Sequence, residues 1–206
     1  MDVKWLGTVD YIDSLTLQNQ SVEKNKITGR NLILGCEHSS VITLGRRSEG
    51  DGEIRSKTHL PVVKVSRGGH ATLHSPGQLV IYPILNLREL KLTVRDAICL
   101  LEKATQASLK SLGIETHRKH EEPGLYTDKG KIAFLGINVS HGITSHGVSI
   151  NVSNDLSLFK NIRSCGIENE SFDRVASYND QILTHELFNR WVSEFQELLQ
   201  KESSCI

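Results

Sequence analysis

The chain has 206 residues, in which 24 lysines and arginines balance 24 aspartates and glutamates. This balance argues against a dedicated nucleic-acid-binding protein, which would carry a basic excess. No stretch approaches the roughly 18 apolar residues of a membrane helix, and the amino terminus lacks the apolar run of a signal peptide. We therefore expect one cytoplasmic domain over residues 1–206, with neither nucleic acid nor a membrane as a partner.

Up to Leu85, the sequence predicts one helix and a series of short strands. Apolar residues at helical spacing predict a helix over Tyr11–Val22. Those residues are Tyr11, Ile12, Leu15 and Val22. Turn residues then separate short apolar runs rich in β-branched side chains, a pattern typical of strands. The predicted strands are Asn31–Cys36, Val41–Leu44, Pro61–Val65 and Gln78–Leu85.

Two more helices and a second group of strands follow. The capping box Thr93-Val94-Arg95-Asp96 opens an amphipathic helix that Gly113 ends. Its predicted buried face is Val94, Ile98, Leu101, Thr105, Ser108 and Leu112. Later strands are predicted at Gly124–Thr127, Lys131–Val139 and Gly147–Val152, before a carboxyl-terminal helical segment at about residues 177–201. Because strands outnumber helices and the helices fall in isolated blocks, the pattern predicts an α+β fold with mixed β-sheets packed with helices.

The most unusual segment runs from Ser66 to Leu79 and carries paired glycines between two predicted strands. Glycine lets a backbone approach a ligand closely, and the segment also contains an arginine and two histidines. The conventional nucleotide loops GxGxxG and GxxxxGK[ST] are absent from the sequence. The segment therefore predicts either a loop that lines a pocket or a plain glycine hairpin.

Lys131 and Cys165 are the other candidates for chemistry. Lys131 opens an apolar strand, an unfavourable place for a solvated cation, which makes it a candidate proton carrier or thiolate partner. The four cysteines form no CxxC pair, and Cys36 and Cys99 lie in apolar runs typical of small buried residues. A neighbouring ammonium favours the thiolate, so Cys165 is either a nucleophile activated by Lys131 or an inert core thiol.

Four sequence blocks occur in an order that carries a family resemblance. Arg67 to Ile84 reads RGGHATLHSPGQLVIYPI, and Gly130 to Gly136 reads GKIAFLG. His146 to Asn151 reads HGVSIN, and Phe159 to Gly166 reads FKNIRSCG. Together they resemble the octanoyltransferases, also called lipoyl(octanoyl) transferases, and the resemblance covers nearly the whole chain.

The resemblance implies the fold of biotin and lipoate protein ligases and a transfer of octanoyl groups. The donor would be octanoyl-acyl carrier protein, and the acceptor a lysine of a lipoyl domain, in 2-oxoacid dehydrogenase acyltransferase subunits or the glycine cleavage H protein. Cys165 would form the thioester intermediate and Lys131 would lower the pKa of its thiol, without ATP, a metal or another cofactor. The implied substrate-binding residues are Arg67, Gly68, Gly69, His70, Ala71, Thr72, Leu73, His74, Phe134, Leu135, Gly136, Gly147, Val148 and Ser149.

Three positions depart from the family pattern. Leu73 stands where Tyr is usual, Ser75 replaces a glycine, and Ser164 replaces the proline before Cys165. We expect Leu73 to wall the acyl tunnel, Ser75 to strain a backbone that glycine would relax, and Ser164 to loosen the positioning of Cys165. None of these changes removes a chemical group that the reaction requires.

Other functions stay open on the sequence alone. A lipoate protein ligase or a lipoyl-relay amidotransferase can share the fold, and an acyl-binding pseudoenzyme would explain the three departures. A metal site is the last alternative, because His70 and His74, or His117 and His120, have plausible ligand spacing.

Overall fold

The structure is a computed structural model that describes residues 1–55, 58–119, 122–163 and 171–203. The strands are β1 (Asp2–Val9), β2 (Leu32–His38), β3 (Val41–Leu44), β4 (Val62–Lys64), β5 (Ala71–His74), β6 (Gln78–Ile84), β7 (His117–Lys119), β8 (Glu122–Tyr126), β9 (Lys131–Ser140) and β10 (Ile143–Asn151). The helices are α1 (Tyr11–Thr28), α2 (Val94–Lys110) and α3 (Thr184–Ser203). Short 3-10 turns lie between some of these elements.

Seven strands form a large mixed sheet in the order β1-β2-β6-β10-β9-β8-β7. The pair β1–β2 is parallel, and the other neighbours are antiparallel. A tight turn joins β9 to β10, in which His141 and Gly142 both have positive φ, 55° and 82°. Two successive positive φ angles match the twist of a two-residue hairpin, so this turn sets the register of the two longest strands.

One face of the large sheet packs on α2 and α3. Alternation along β6 directs Leu79 and Ile81 into this core, while Val80 and Tyr82 belong to a cluster on the opposite face. On α3, Trp191 is fully buried, its ring stacks on Phe195, and its Nε1 donates to Thr105 of α2 at 2.9 Å. This apolar layer holds the sheet to the two helices.

The opposite face meets α1 and a small sheet of order β4-β3-β5. Along α1 the buried positions include Ser14, Gln18 and Asn25, so its inner side is polar as well as apolar. Gln18 accepts a hydrogen bond from the backbone amide of His146 at 2.8 Å. Polar groups are therefore buried between the two sheets and α1, where the cavity described below lies.

One predicted buried position and one predicted loop are corrected by the structure. Val94 is 46% exposed, because α2 turns Ala97, Leu100 and Ala104 inward. β5 occupies part of the segment that the sequence presents as a loop. It pairs with β3, a partner about 30 residues earlier that local patterning does not reveal.

The α+β prediction is confirmed, and the other predicted helices and strands occur with shifted ends. The capping box is present, since Thr93 Oγ1 accepts from the Asp96 amide at 3.1 Å while Asp96 accepts from the Thr93 amide at 2.9 Å. The amino-terminal strand β1 escaped prediction because an edge strand with mostly exposed side chains has no apolar run. Among the described helices, none is long and apolar enough to cross a membrane.

Candidate active site

A cavity of about 140 Å³ lies between the polar face of the large sheet and the small sheet. Its mouth is marked by the exposed residues Arg47 and Pro123, and its inner end by the buried rings of Tyr11 and Tyr82. The residues that line it are Tyr11, Arg47, Arg67, Gly69, His70, Ala71, Thr72, His74, Val80, Tyr82, Pro123, Lys131, Phe134, Leu135, Gly136, His146, Gly147, Val148 and Ser149. Apolar walls with a few polar groups are typical of a ligand site.

The structure brings the predicted substrate-binding residues together around this cavity, except Gly68 and Leu73. Leu73 is fully buried in an apolar cluster with Ile42, Phe134 and Phe159 and is not among the residues that line the cavity, so its expected place in the tunnel wall is not observed. Alternation along β5 points Leu73 to the opposite side of the strand from the lining residues Thr72 and His74. Gly68 contributes backbone contacts instead, and its amide donates to Ile137 at 3.0 Å.

The loop that carries Gly68 and Gly69 packs closely against β9. A Cβ added to Gly136 would lie 3.1 Å from the Gly68 carbonyl, and one added to Gly45 would lie 2.3 Å from the Gly69 carbonyl. The Arg67 guanidinium is hydrogen-bonded to Thr43, with Nη2 donating to the carbonyl oxygen and to Oγ1 at 2.8 Å each. Glycine at these positions thus lets the loop close over the sheet, which fits the pocket interpretation of this segment.

The expected strain at Ser75 is absent. The non-glycine residues of the described chain with positive φ are Lys91, His141 and His146, and Ser75 is not among them.

His146 has φ 57° and lines the cavity. Burial, together with the charges of Arg67 and Arg46, lowers the pKa of His146 to about 4.

Lys131 is fully buried and lines the cavity. Its amide donates to the Ser171 carbonyl at 2.8 Å, and its carbonyl accepts from the Asp173 amide at 3.0 Å. Its Nζ lies 5.2 Å from the ring centroids of both Tyr126 and Phe134. A lysine held by its backbone and flanked by two rings presents its amine at a defined place.

Of the four cysteines, two are described. Cys36 is fully buried, and burial, with the nearby Glu37, raises the pKa of its thiol, which confirms the prediction of a small buried residue. Cys99 is only half-buried. Cys165 lies outside the described residues, as do Ser164 and Cys205.

A buried polar cluster closes the inner end of the cavity. His38 lies 2.7 Å from the Tyr82 hydroxyl through Nε2 and 2.9 Å from the Val9 carbonyl through Nδ1. The His74 ring stacks on Tyr11 with centroids 5.6 Å apart, and its Nδ1 contacts Gln78 Oε1 at 2.7 Å. Burial, reinforced by His38, lowers the pKa of His74 to about 3, so the cluster is neutral at physiological pH.

Several lining residues were not predicted from the sequence, namely Tyr11, Arg47, Val80, Tyr82, Pro123 and His146. Val80, Tyr82 and His146 lie inside the sequence blocks that carry the family resemblance, so the sequence could have indicated them. Arg47 and Pro123 carry no local signal, because only the packing of distant segments places them at the mouth.

The histidines proposed as metal ligands turn to separate partners. His70 Nδ1 lies 2.8 Å from Glu53 Oε1, whereas His74 contacts Gln78. His117 is exposed on β7, and His120 lies outside the described residues. Within the described ranges, no group of three or more histidine, cysteine or acidic residues is arranged to hold a metal ion.

Known proteins resemble this chain over most of its length. Residues 10–196 match the lipoyl protein ligase A/B catalytic domain. An octanoyltransferase of Azoarcus sp. is 37% identical over 193 residues, which cover 89% of this chain and 85% of that protein. An octanoyltransferase of Persephonella marina is 38% identical over 165 residues, which cover 79% and 80%.

Solved structures share the fold at low sequence identity. One described as a lipoate protein ligase from T. acidophilum, with bound lipoic acid, has a TM-score of 0.76 at 14% identity and covers 97% of this chain and 86% of its own. A biotin protein ligase from Aquifex aeolicus, in complex with biotin and ATP, has a TM-score of 0.62 at 15% identity and covers 97% and 71%. These likenesses confirm the predicted biotin and lipoate ligase fold. Given the domain match and relatives at 37–38% identity, the chain belongs to the lipoyl protein ligase A/B catalytic-domain family and groups there with the octanoyltransferases.

Proposed function

We propose that the protein transfers an octanoyl group from octanoyl-acyl carrier protein to a lysine of a lipoyl domain, through a thioester on Cys165. Membership among the octanoyltransferases supports an acyltransferase activity in general. The observation that carries the specific reaction is the fully buried Lys131 on a mostly apolar cavity. The apolar wall suits an alkyl chain, and a fixed ammonium suits a thiolate.

The connection of Lys131 to neighbouring segments supports Cys165 as its partner. Ser171, which accepts a hydrogen bond from the Lys131 amide, is six residues after Cys165 in sequence. Arg163, two residues before Cys165, donates its amide to the Glu53 carbonyl at 2.8 Å. The described residues on either side of Cys165 therefore contact Lys131, which lines the cavity, and Glu53, which in turn contacts the lining residue His70.

In the first half-reaction the Cys165 thiolate attacks the octanoyl thioester of the carrier protein. The carbon–sulfur bond to the pantetheine arm breaks, and the Lys131 ammonium gives its proton to the departing thiolate. One thioester replaces another, so the step costs little free energy. The enzyme is left with an octanoylated Cys165 and a neutral Lys131, as in other covalent catalysis.

In the second half-reaction the acceptor lysine attacks the Cys165 thioester as a free amine. The new carbon–nitrogen bond forms, Cys165 leaves as a thiolate, and the neutral Lys131 takes one proton from the attacking nitrogen. This returns Lys131 and Cys165 to their starting forms. Because an amide replaces a thioester, the step is downhill.

Intact-mass analysis tests this function directly. Incubation with octanoyl-acyl carrier protein should add one octanoyl group, and hydroxylamine should remove it. Cys165→Ser should abolish both the adduct and transfer to a lipoyl domain, because a serine hydroxyl is not ionised by one lysine. Cys36→Ser and Cys99→Ser are matched controls that should keep most of the transfer. Full transfer by Cys165→Ser would contradict the covalent mechanism.

The ligase alternative makes a different prediction on the same assay. A ligase activates a free acid with ATP, whereas thioester exchange already supplies an activated acyl group. We expect the rate to be unchanged without ATP and Mg²⁺ and in the presence of a chelator. An obligatory ATP requirement would place the protein with the ligases.

A further inference from the structure

The position after the two glycines of the cavity loop carries a histidine paired with a buried carboxylate. His70 Nδ1 lies 2.8 Å from Glu53 Oε1, and the His70 side chain is 27% exposed while that of Glu53 is 4% exposed. His70 is one of the residues that line the cavity. Neither Glu53 nor this pairing has a part in the two half-reactions described above.

Hydrogen bonds stabilise the ionised form of the Glu53 carboxyl. Its Oε2 accepts from the Ala71 amide at 2.6 Å and from Ser48 Oγ at 3.0 Å, and its Oε1 also accepts from the Glu49 amide at 3.2 Å. Burial alone would raise the pKa of this carboxyl, but the hydrogen bonds from His70 and the backbone amides outweigh it and lower the pKa. A carboxylate accepts only, so the His70 nitrogen facing it carries the hydrogen. The other nitrogen, Nε2, then has a free lone pair for a ligand in the cavity.

The acceptor half-reaction needs such a base. A lysine reaches the enzyme as an ammonium with three N–H bonds, and the amide product keeps one, so two protons must leave. The neutral Lys131 accepts only one of them. A free lysine has a pKa of about 10.4, so only about one molecule in 2,500 is an amine at pH 7.

The charge of the cavity also opposes an entering ammonium. The charged side chains that line it in the described parts of the chain are Arg47, Arg67 and Lys131, all of which are cations. Like charges disfavour a further cation and favour loss of its proton. Among the lining residues, His70 alone combines a partly exposed ring with a carboxylate behind it.

We infer that His70 is the base that deprotonates the incoming lysine, with Glu53 as its positioning residue, an inference that rests on the proposed function. Nε2 takes one proton from the acceptor ammonium and later releases it to solvent. The resulting amine attacks the thioester, and its second proton passes to Lys131 as the carbon–sulfur bond to Cys165 breaks. Glu53 holds the ring and its tautomer and stabilises the imidazolium.

Separate assays of the two half-reactions test this inference. Octanoyl-enzyme is formed from octanoyl-acyl carrier protein, isolated, and mixed with a lipoyl domain, and the loss of the adduct is followed by mass. For His70→Gln we expect deacylation to be slower by about 10²-fold or more at pH 7, a loss at least about tenfold larger than any loss in acylation. Raising the pH to 9.5 should recover much of that loss, since the acceptor amine then forms without help. Glu53→Gln should show the same pattern with a smaller loss.

The exposed His185 on α3, on the other side of the large sheet, supplies the matched control. His185→Gln should leave both half-reactions unchanged. Added imidazole should accelerate deacylation of His70→Ala, which a purely structural role would not produce. Equal deacylation of wild type and His70→Gln at pH 7 would overturn the role of His70 while leaving the proposed function standing. Failure of wild type to form octanoyl-enzyme would overturn the proposed function and this inference together.

Discussion

The two faces of the large sheet differ in what they bury. The face toward α2 and α3 is a continuous apolar core that includes Leu79, Ile81 and Trp191. The face toward α1 and the small sheet buries a lysine, an arginine and several histidines. The same strands build both faces, because alternate residues of β6 and β10 point to opposite sides.

The two faces therefore contribute differently: the apolar face mainly stabilises the fold, and the polar face carries the groups available for chemistry. Burying apolar groups is favourable by roughly 25 cal/mol for each Å² removed from water, whereas a buried polar group destabilises unless it is hydrogen-bonded. The polar face meets this need with many contacts, such as Gln78 to Asn151 at 2.9 Å and Thr127 to Asp173 at 2.5 Å. Variants on the apolar face should therefore change folding, and variants on the polar face should mainly change catalysis.

Replacing Lys131 should produce the largest effect. Lys131→Ala should lower octanoyl transfer by about 10³-fold, because it removes a proton carrier and the cation beside the thiolate. Alkylation of Cys165 by iodoacetamide should slow at pH 7 and recover at alkaline pH, where an unassisted thiol ionises. Lys131→Arg should keep much of the alkylation but not the transfer, since guanidinium does not release its proton. Identical alkylation profiles for wild type and Lys131→Ala would refute the pairing of Lys131 with Cys165.

Truncating Trp191 should destabilise the fold by disrupting the packing of the apolar face. Trp191→Ala should lower the free energy of unfolding by about 3–5 kcal/mol, because it opens a cavity and leaves Thr105 without its donor. Urea denaturation measures the change, and Ser193→Ala, at an exposed position of the same helix, should stay within about 0.5 kcal/mol of wild type. The folded fraction of Trp191→Ala should still form octanoyl-enzyme. A loss below about 1 kcal/mol would show that this layer does not carry the stability.

Acid should destabilise the polar face through its neutral histidines. The pKa of His74 is lowered to about 3 and that of His146 to about 4, both chiefly by burial, whereas an unfolded histidine titrates near 6.5. The unfolded chain thus binds more protons below about pH 6.5, so stability falls as the pH drops from there toward about 4 for His146 and about 3 for His74. At pH 5 the loss is at most about 2 kcal/mol for each histidine.

Urea midpoints at pH 7 and pH 5 measure this dependence. His74→Gln should show a smaller decrease in the urea midpoint from pH 7 to pH 5 than wild type, because glutamine does not titrate. His185→Gln, which removes an exposed histidine, should leave the fall unchanged. If the urea midpoint of His74→Gln decreases as much as that of wild type, the acid sensitivity belongs to other groups.

Replacing Leu73 should have the smallest effect on catalysis and so define the boundary of the cavity. Leu73→Tyr should leave the preference for acyl length unchanged and cost about 1–3 kcal/mol of stability by overpacking, because Leu73 packs outside the cavity. Val80→Ile, at a lining position, should shift the preference toward shorter chains. Competition between acyl-carrier thioesters of different length measures both. A changed length preference in Leu73→Tyr would return this residue to the tunnel wall.

Patterns close together in the chain predicted much of the fold. The α2 capping box and the apolar runs of β2, β3 and β6 were recognisable because helix caps and β-branched runs act over a few residues. The motif blocks also marked the cavity, because the family resemblance that they carry implied Gly136 and Gly147 as substrate-binding residues, and both line the cavity. Cys165 as the nucleophile stays a prediction, because it lies outside the described residues.

Contacts between distant segments decided the rest. β5 exists because β3 pairs with it, and the cavity mouth is lined by Arg47 and Pro123, which are far apart in the chain. Glu53 and His70 are 17 residues apart, and nothing local marks Glu53 as buried beneath the glycine loop. Local sequence reports which residues can form a helix, a strand or a close turn. The partner of a buried charge is set only when the sheets pack, since burial and hydrogen bonding are properties of the assembled layers.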